Sequence, residues 1–521
     1  MMLTRKQFLE LSSRAAMSAA AYSAFPFVTN PAYAQDVLSS DAVRRAHRYI
    51  AEHREEHIAK LQADLRQASV SSWDMGIREM ADRMVESFRT LGCQEVKLIE
   101  TKGFPGVWAY YDAGAPKTVA TYMMYDTQPF DKERWMADPL AAERMRMDPF
   151  EEIILARGAY NSKGPNRFFL NACEAIIASG GELPVNIMFT CDGEEEQGSP
   201  NFHEVLDPYR ERLKTADAML QAGPGQQSDG SVEMRLGTKG ILYLELEVSG
   251  AKWGRGPQKM PIHSSRKAVL DSPVWRLVEA LRSMYDPAEN KILIDGWYDD
   301  IRPPNEEELM LYNELVSKHP ERLFVSESEN VERWVDDWSD VEAAKHLIFD
   351  TSFNIDGIWG GYTGPGSATI VPEKAAVKMD SRLVPNQQIT KQKQLFLDHM
   401  ERSGYGDIDV RQLGGGDEWS QTSVKAPVVQ AMMSVYRHYG IEPAIWPRSP
   451  TSSPRWEFTR KLGLPDVRGG LGHGGRAHAV DEYIVIEGNE KVAGIVKAEQ
   501  SLVDLLFAYA SYPEEPRGSS A

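Results

Sequence analysis

The sequence predicts an α/β chain: a mixed-sheet domain with helices on both faces, interrupted by a smaller α+β domain. Three observations lead there. Between residues 95 and 190, short apolar runs alternate with a helical stretch, the strand–helix–strand order of a sheet covered by helices. At 241–248 the run ILYLELEV alternates apolar and polar residues, as a half-exposed strand does, so it belongs to a different kind of sheet. After the Gly414-Gly415-Gly416 break the first style returns.

Taken in order, residues 1–34 read as an export address. Arg5 and Lys6 precede an Ala-rich, weakly apolar stretch to Val28, and Ala32-Tyr33-Ala34 is a small-x-small cleavage signal that leaves Gln35 first. The TRKQFLEL run resembles a twin-arginine signal with Lys6 in place of the second arginine, which predicts a periplasmic or secreted protein. Residues 36–70 carry Ile50, Ile58, Leu61 and Leu65 at helical spacing, and 74–92 repeat the pattern. Strands are expected at 95–99, 107–111, 119–125 and 185–190, with a helix at 165–179. The interrupting domain covers 237–416, with the strand 241–248, a helix near 272–284 and an alternating strand near 375–382. Within it, residues 286–345 are acidic and rich in Trp and Pro and read as a long insertion. A helix at 426–439 and a strand at 443–446 return to the first domain, which spans 36–236 and 417–521. No internal repeat is present.

Composition narrows the function. Of 521 residues, 42% are hydrophobic and 26% charged, as in an ordinary globular protein. The net charge of −18 argues against nucleic acid or an anionic membrane as the main partner. No run of about 18 apolar residues suggests a spanning helix. Three cysteines, none in a CxxC pair, exclude a disulfide framework and a thiolate zinc knot.

In open α/β sheets, sites form beyond the carboxyl ends of strands. Three such ends carry unusual residues: Tyr125-Asp126-Thr127-Gln128; the loop from Ala156 to Pro165, where Gly158 and Gly164 permit tight backbone; and Cys191 to Ser199. The last run holds four carboxylates, Asp192, Glu194, Glu195 and Glu196, within five positions directly after an apolar strand. A bare run of glutamates is ordinarily a solvated loop, but one that follows a buried strand must be neutralised by cations, protons or water. Near the C-terminus, His473 and His478 share a Gly-rich loop from Gly470 to Tyr483, and His263-Ser264-Ser265 stands in the interrupting domain.

These runs, in this order from about residue 40 to 510, resemble the dizinc family of carnosinases, glutamate carboxypeptidases and aminoacylases (metallopeptidase family twenty). The resemblance rests on GEEEQGS, HSS, DSRLVPNQ at 380–387, Arg448 and AHAVDEY. It implies a catalytic α/β domain with an inserted lid that often dimerises, here giving a homodimer through 237–416. It also implies roles: Glu195 as general base, Asp126 as the orienting carboxylate, His263 as the lid histidine that touches the reacting carbonyl, and Arg448, with Arg382 and Lys163, as substrate-binding cations. Glu196 and His478 fall on metal-ligand positions. Three other ligand positions depart from the family pattern, which has His, Asp and Asp where this chain has Met124, Asn161 and Ala222. A thioether suits Cu(I) better than zinc, a neutral amide cannot bridge two cations, and a methyl group offers no donor. The implied cofactor is therefore zinc by resemblance only, with at most one ion on Glu196, His478 and Asn161 (or Asp126), and none as the simplest expectation.

The expected activity is hydrolysis of an amide or peptide bond in a small, carboxylate-bearing amino-acid conjugate or dipeptide. Glu195 would activate water, its pKa raised by Asp192, Glu194 and Glu196. Two alternatives use the same scaffold: a non-catalytic binding relative, and a non-hydrolytic enzyme that uses Glu195 and His478 for proton transfer.

Overall fold

The computed structural model describes residues 36–323 and 331–513; the export address expected over 1–34 lies outside the described residues. The main sheet has six strands in the order Glu95–Ile99, Gly106–Tyr111, Asn186–Asp192, Thr118–Met124, Ala218–Ala222 and Asp466–Gly469. The first two pairings are antiparallel and the remaining three parallel, so the sheet is mixed, as the sequence predicts. Asn186–Asp192 is buried along its whole length, and so is Thr118–Met124 after its first residue. Burial on both faces is why these strands read as unbroken apolar runs rather than alternations.

One face packs on the helices Ile77–Leu91, Lys163–Ala178, Pro427–His438 and Ile495–Ser511 through Phe88, Phe169, Ile176, Met432 and Leu502. The other face packs Trp108, Tyr122, Met124 and Met219 against Phe202 and Phe458. Among the described residues no helix is long and apolar enough to cross a membrane.

A smaller sheet that sequence periodicity missed orders Gly474–Gly475, Tyr483–Glu487, Phe150–Leu155 and Glu143–Met147. Its antiparallel pairing of Tyr483 with Leu155 brings the loop after residue 155 beside the loop before residue 483, although they are over three hundred positions apart.

The inserted domain is built on a fully antiparallel sheet, ordered Ser352–Gly360, Lys374–Leu383, Gly240–Ser249 and Asp409–Gln412. Buried and half-buried residues alternate along Gly240–Ser249, which is the pattern its sequence announced. The helices Pro273–Met284 and Ile389–Arg402 cover one face, where Leu277, Met284, Phe396 and Met400 meet Leu242, Leu244 and Leu246. The acidic stretch read as an insertion forms two further helices, Glu306–Lys318 and Asp340–Phe349, each begun by a reciprocal capping box, Asn305 with Glu308 and Ser339 with Glu342. These helices pack on Ala444 and Trp446 of the first domain rather than on the inserted sheet.

Lys163, expected to bind substrate, opens the helix Lys163–Ala178 and is buried. Its ammonium group donates to the carbonyls of Asp64 and Gln67, so it ties that helix to the end of Arg54–Arg66 and presents nothing to a ligand. This is a correction, and its cause is burial: the lysine satisfies backbone carbonyls that would otherwise be orphaned. Burial also lowers its pKa to about 7. From that value up to its ordinary 10.5, the unfolded chain binds a proton that the folded chain does not, so stability gains with rising pH across this window and is flat below it. In denaturant unfolding series, the stability difference between native protein and a Lys163→Met variant should therefore rise from pH 7 to 10 in favour of the native chain. A pH-independent difference would contradict this placement.

Candidate active site

Four loops meet at the carboxyl end of the main sheet. The first follows Thr118–Met124. The Met124 carbonyl accepts from Asn166 Nδ2 at 2.7 Å, while its thioether lies in the apolar cluster on the sheet face. Asp126 is wholly buried, and both of its oxygens are engaged. Oδ1 accepts the Glu195 N–H at 3.1 Å, and Oδ2 accepts the Glu196 N–H at 3.1 Å and the Ser71 hydroxyl at 2.8 Å. Asp126 thus holds the acidic loop by its backbone. Burial and the neighbouring Asp192 push its carboxyl well above the usual range.

The second loop is the acidic run itself. Gly193 is required, because a Cβ there would collide with the Tyr125 ring. Asp192 accepts the Glu194 N–H at 2.9 Å and the Ser199 hydroxyl at 2.6 Å, and burial raises its pKa to about 6. Glu194 is buried and accepts from Asn201 Nδ2 at 2.9 Å, which makes it a structural carboxylate. Glu195 and Glu196 lie on a single 3-10 turn, Glu195–Gln197. Glu196 is enclosed: Gln128 Nε2 donates at 2.6 Å, Asn161 Nδ2 at 2.7 Å, and His478 Nε2 lies 3.2 Å away. The Glu195 side chain has a different environment. Its pKa is raised well above the usual range by burial first and then by Glu196, Asp126 and Asp192.

The third and fourth loops are fastened together by Glu482. Its buried carboxylate accepts the backbone N–H groups of Gly158 at 3.1 Å, Tyr160 at 2.9 Å and Asn161 at 2.8 Å, and Arg157 Nη1 at 2.8 Å. Gly158 has φ +86°, and a side chain there would meet Thr127 and Lys163, so glycine is needed for the loop to turn. Asn161 and His478 are thereby presented side by side, 3.0 Å apart. The Glu196 carboxylate raises the His478 pKa above its ordinary 6.5, so the ring carries charge over a wider range. His473, on the same loop, is buried between the Gln226 carbonyl at 2.8 Å and the Tyr483 hydroxyl at 3.0 Å and supports the loop instead.

The structure therefore brings Glu195, Glu196, Asp126, Asn161 and His478 together, and adds Gln128, Glu482 and Asp417 to them. Asp417 starts the return from the inserted domain. It is buried, accepts from Trp456 Nε1 at 3.1 Å, is raised to about 7 by burial, and acts electrostatically on Glu195. Gln128 stands two residues past Asp126 and Glu482 within AHAVDEY, but no local periodicity reveals what either one contacts.

Besides Lys163, three expected residues lie elsewhere. His263 is exposed and spends both ring nitrogens on its own domain, Nδ1 with the Ser265 hydroxyl at 2.9 Å and Nε2 with the Thr369 hydroxyl at 3.0 Å. Arg382 pairs with Asp380 at 3.2 Å and donates to the Ser452 hydroxyl at 3.2 Å, so it joins the two domains. Arg448 is only 1% exposed and is held by Glu308 at 2.5 Å and by Gln421 at 2.8 Å; no ligand reaches its guanidinium in this arrangement. Its expected role in substrate binding is corrected, because an internal carboxylate already satisfies it.

Among the described residues, no group of three or more His, Cys, Asp or Glu side chains is placed to hold a metal ion. Ala222 ends its strand with a methyl group, and Asp126 is consumed by backbone N–H groups.

Comparison with known proteins accords with this architecture. The model of Peptidase family M20/M25/M40 matches residues 120–500. The chain is 27% identical to the human Beta-Ala-His dipeptidase over 384 residues, covering 72% of this chain and 70% of the relative. It is 25% identical to a Cys-Gly metallodipeptidase of Candida albicans over 461 residues, covering 84% and 92%. Among solved structures, an M20 family metallo-carboxypeptidase from Sulfolobus solfataricus superposes with TM-score 0.77 at 32% identity, covering 87% of this chain and 99% of that one. Human carnosine dipeptidase 1 shares the fold, with TM-score 0.71 at 22% identity over 91% of this chain and 100% of that one. The resemblance read from the motifs is thus borne out: the chain belongs to Peptidase family M20/M25/M40 and is a hydrolase of the peptidase type.

Proposed function

We propose that the chain hydrolyses the amide bond of a dipeptide or small amino-acid conjugate, with Glu195 as the general base. The observation that carries this reading is the contrast within one turn. Glu196 is anchored by Gln128, Asn161 and His478, whereas Glu195 stands among carboxylates that, with burial, hold its proton affinity high. A carboxylate with a raised pKa takes a proton from an attacking water and returns it to the leaving amine. The charge that develops on the carbonyl oxygen needs a positive donor, and His478, whose proton affinity Glu196 raises, is the candidate at the cluster. The relatives' names specify dipeptides for those proteins, which supports a small peptide here. A dipeptide carries the carboxylate that the sequence leads one to expect, but Arg448, paired with Glu308, is not presented to it in this arrangement.

The residues present do not fit a pair of zinc ions. Met124 faces an apolar cluster, Asn161 donates to Glu196, and Ala222 supplies no ligand. A single cation would have Glu196 and His478 as its charged donors, and it could reach them only if Gln128 and Asn161 released the carboxylate. Catalysis is therefore assigned to the side chains themselves.

Two further features belong to this reading. The chain forms a homodimer through the inserted domain: Ser352–Gly360 is an edge strand, and Ile355, Ile358 and Trp359 are all about half exposed along it (46%, 51% and 46%). A bare apolar edge of that length invites pairing with a second copy. The chain is also exported through its N-terminal address, supported by the TRKQFLEL and Ala32-Tyr33-Ala34 sequences.

Three measurements test these statements. In assays on dipeptides and N-acyl amino acids, Glu195→Gln should lower kcat/KM by about 10²–10⁴-fold with the melting temperature retained; undiminished turnover would remove Glu195 from the mechanism. Sedimentation should find a dimer that Ile358→Asp with Trp359→Lys converts to monomer, whereas a native monomer would refute the interface. N-terminal sequencing of protein recovered from the periplasm or medium should begin at Gln35, and retention of an intact N-terminus in the cytoplasm would refute export.

A further inference from the structure

The two domains are joined by a two-stranded ribbon in which Gly237–Thr238 pairs with Ser420–Gln421, and beyond it the Ile241 N–H donates to the Asp417 carbonyl at 2.7 Å. Such a ribbon by itself makes a hinge. In this chain a second connection bypasses it. Residues 301–323 leave the inserted domain and cross to the catalytic domain, and residues 331–351 lead back.

Both ends of this excursion are rooted in the inserted domain. Before the outward crossing, Trp297 is buried in the inserted core, and its carbonyl accepts Gln387 Nε2 and Gln392 Nε2, each at 2.9 Å. The Arg302 N–H donates to the Pro385 carbonyl at 3.0 Å. At the return, the Thr351 hydroxyl donates to the Arg382 carbonyl at 2.7 Å.

The middle is rooted in the catalytic domain. Tyr312, Leu315, Ile348 and Phe349 form one apolar cluster with Ala444 and Trp446. Glu307 accepts the Val424 N–H and the Ser423 hydroxyl, each at 2.8 Å. Glu308 meets Arg448 at 2.5 Å with both side chains no more than 2% exposed, and it also receives both terminal nitrogens of Arg302, at 2.8 and 2.9 Å. Swinging the inserted domain away would turn four chain crossings at once, and if these helices were drawn along it would part the buried Glu308–Arg448 pair.

We propose that residues 301–323 and 331–351 are a strap that fixes the inserted domain on the catalytic domain, with Glu308 fastening it to Arg448. The spacing of the two domains is then set, and substrate enters without a closing motion. This inference concerns geometry and stands whether or not Glu195 is the base.

The test is a distance measurement on the full chain. Spin labels are placed on the exposed positions of Glu133→Cys and Lys267→Cys in a Cys93→Ser background, and labelled protein is diluted into unlabelled protein so that only pairs within one chain report. The strap predicts one narrow distance distribution, unchanged by dipeptide, that broadens or splits in a Glu307→Ala/Glu308→Gln variant retaining native circular dichroism. Two distances in the intact chain, or a distribution as narrow in the folded variant, would overturn it. Should the variant fail to fold, hydrogen exchange on the intact chain decides. Amides of Glu306–Lys318 exchanging as slowly as those of Thr118–Met124 support the strap, and exchange faster by about tenfold or more overturns it.

Discussion

The site depends on Asp126 accepting the backbone N–H groups of Glu195 and Glu196, at 3.1 Å each. Two successive amides bound by one buried carboxyl fix the path of the chain where an apolar strand turns into a run of acids. Without that constraint, the four carboxylates would spread into solvent, the lowest-energy arrangement for like charges. With it, each acid is assigned a separate environment. Asp192 and Glu194 are tied to nearby donors, Glu196 is enclosed by two amides and a histidine, and Glu195 stands among them with its proton affinity raised.

The histidine and amides around Glu196 depend in turn on Glu482. That carboxylate gathers three backbone N–H groups and an arginine, and so locks the loop carrying Asn161 to the loop carrying His478. The arrangement meets the electrostatic demand of a buried carboxylate with hydrogen-bond donors and one titratable ring. It is built on the framework of Peptidase family M20/M25/M40.

Much of this was legible in the sequence, and the remainder was hidden for a physical reason. Buried parallel strands announce themselves as apolar runs, and the acidic turn announces itself by an improbable density of charge, so the fold and Glu195, Glu196 and His478 could be located by reading along the chain. What could not be read was pairing at long range. Gln128 reaches Glu196 across 68 positions, Glu482 reaches Asn161 across 321, and Glu308 reaches Arg448 across 140. The last pair explains why Arg448 looked like a ligand receptor: an arginine at that place in the order of motifs is a free cation until a segment with no motif of its own supplies the opposing charge. Lys163 misled for a related reason. Its position after a Gly-rich turn suggests a ligand, whereas burial gives it to the carbonyls of Asp64 and Gln67.

The central claim is that the side chains around Glu196 do the work of the family's cations. It is tested most directly by metal content and turnover on the same sample, before and after exhaustive chelation. The account predicts fewer than two zinc ions per chain and dipeptide hydrolysis that survives chelation. Two zinc ions per chain, with activity that chelation abolishes and zinc restores, would contradict it.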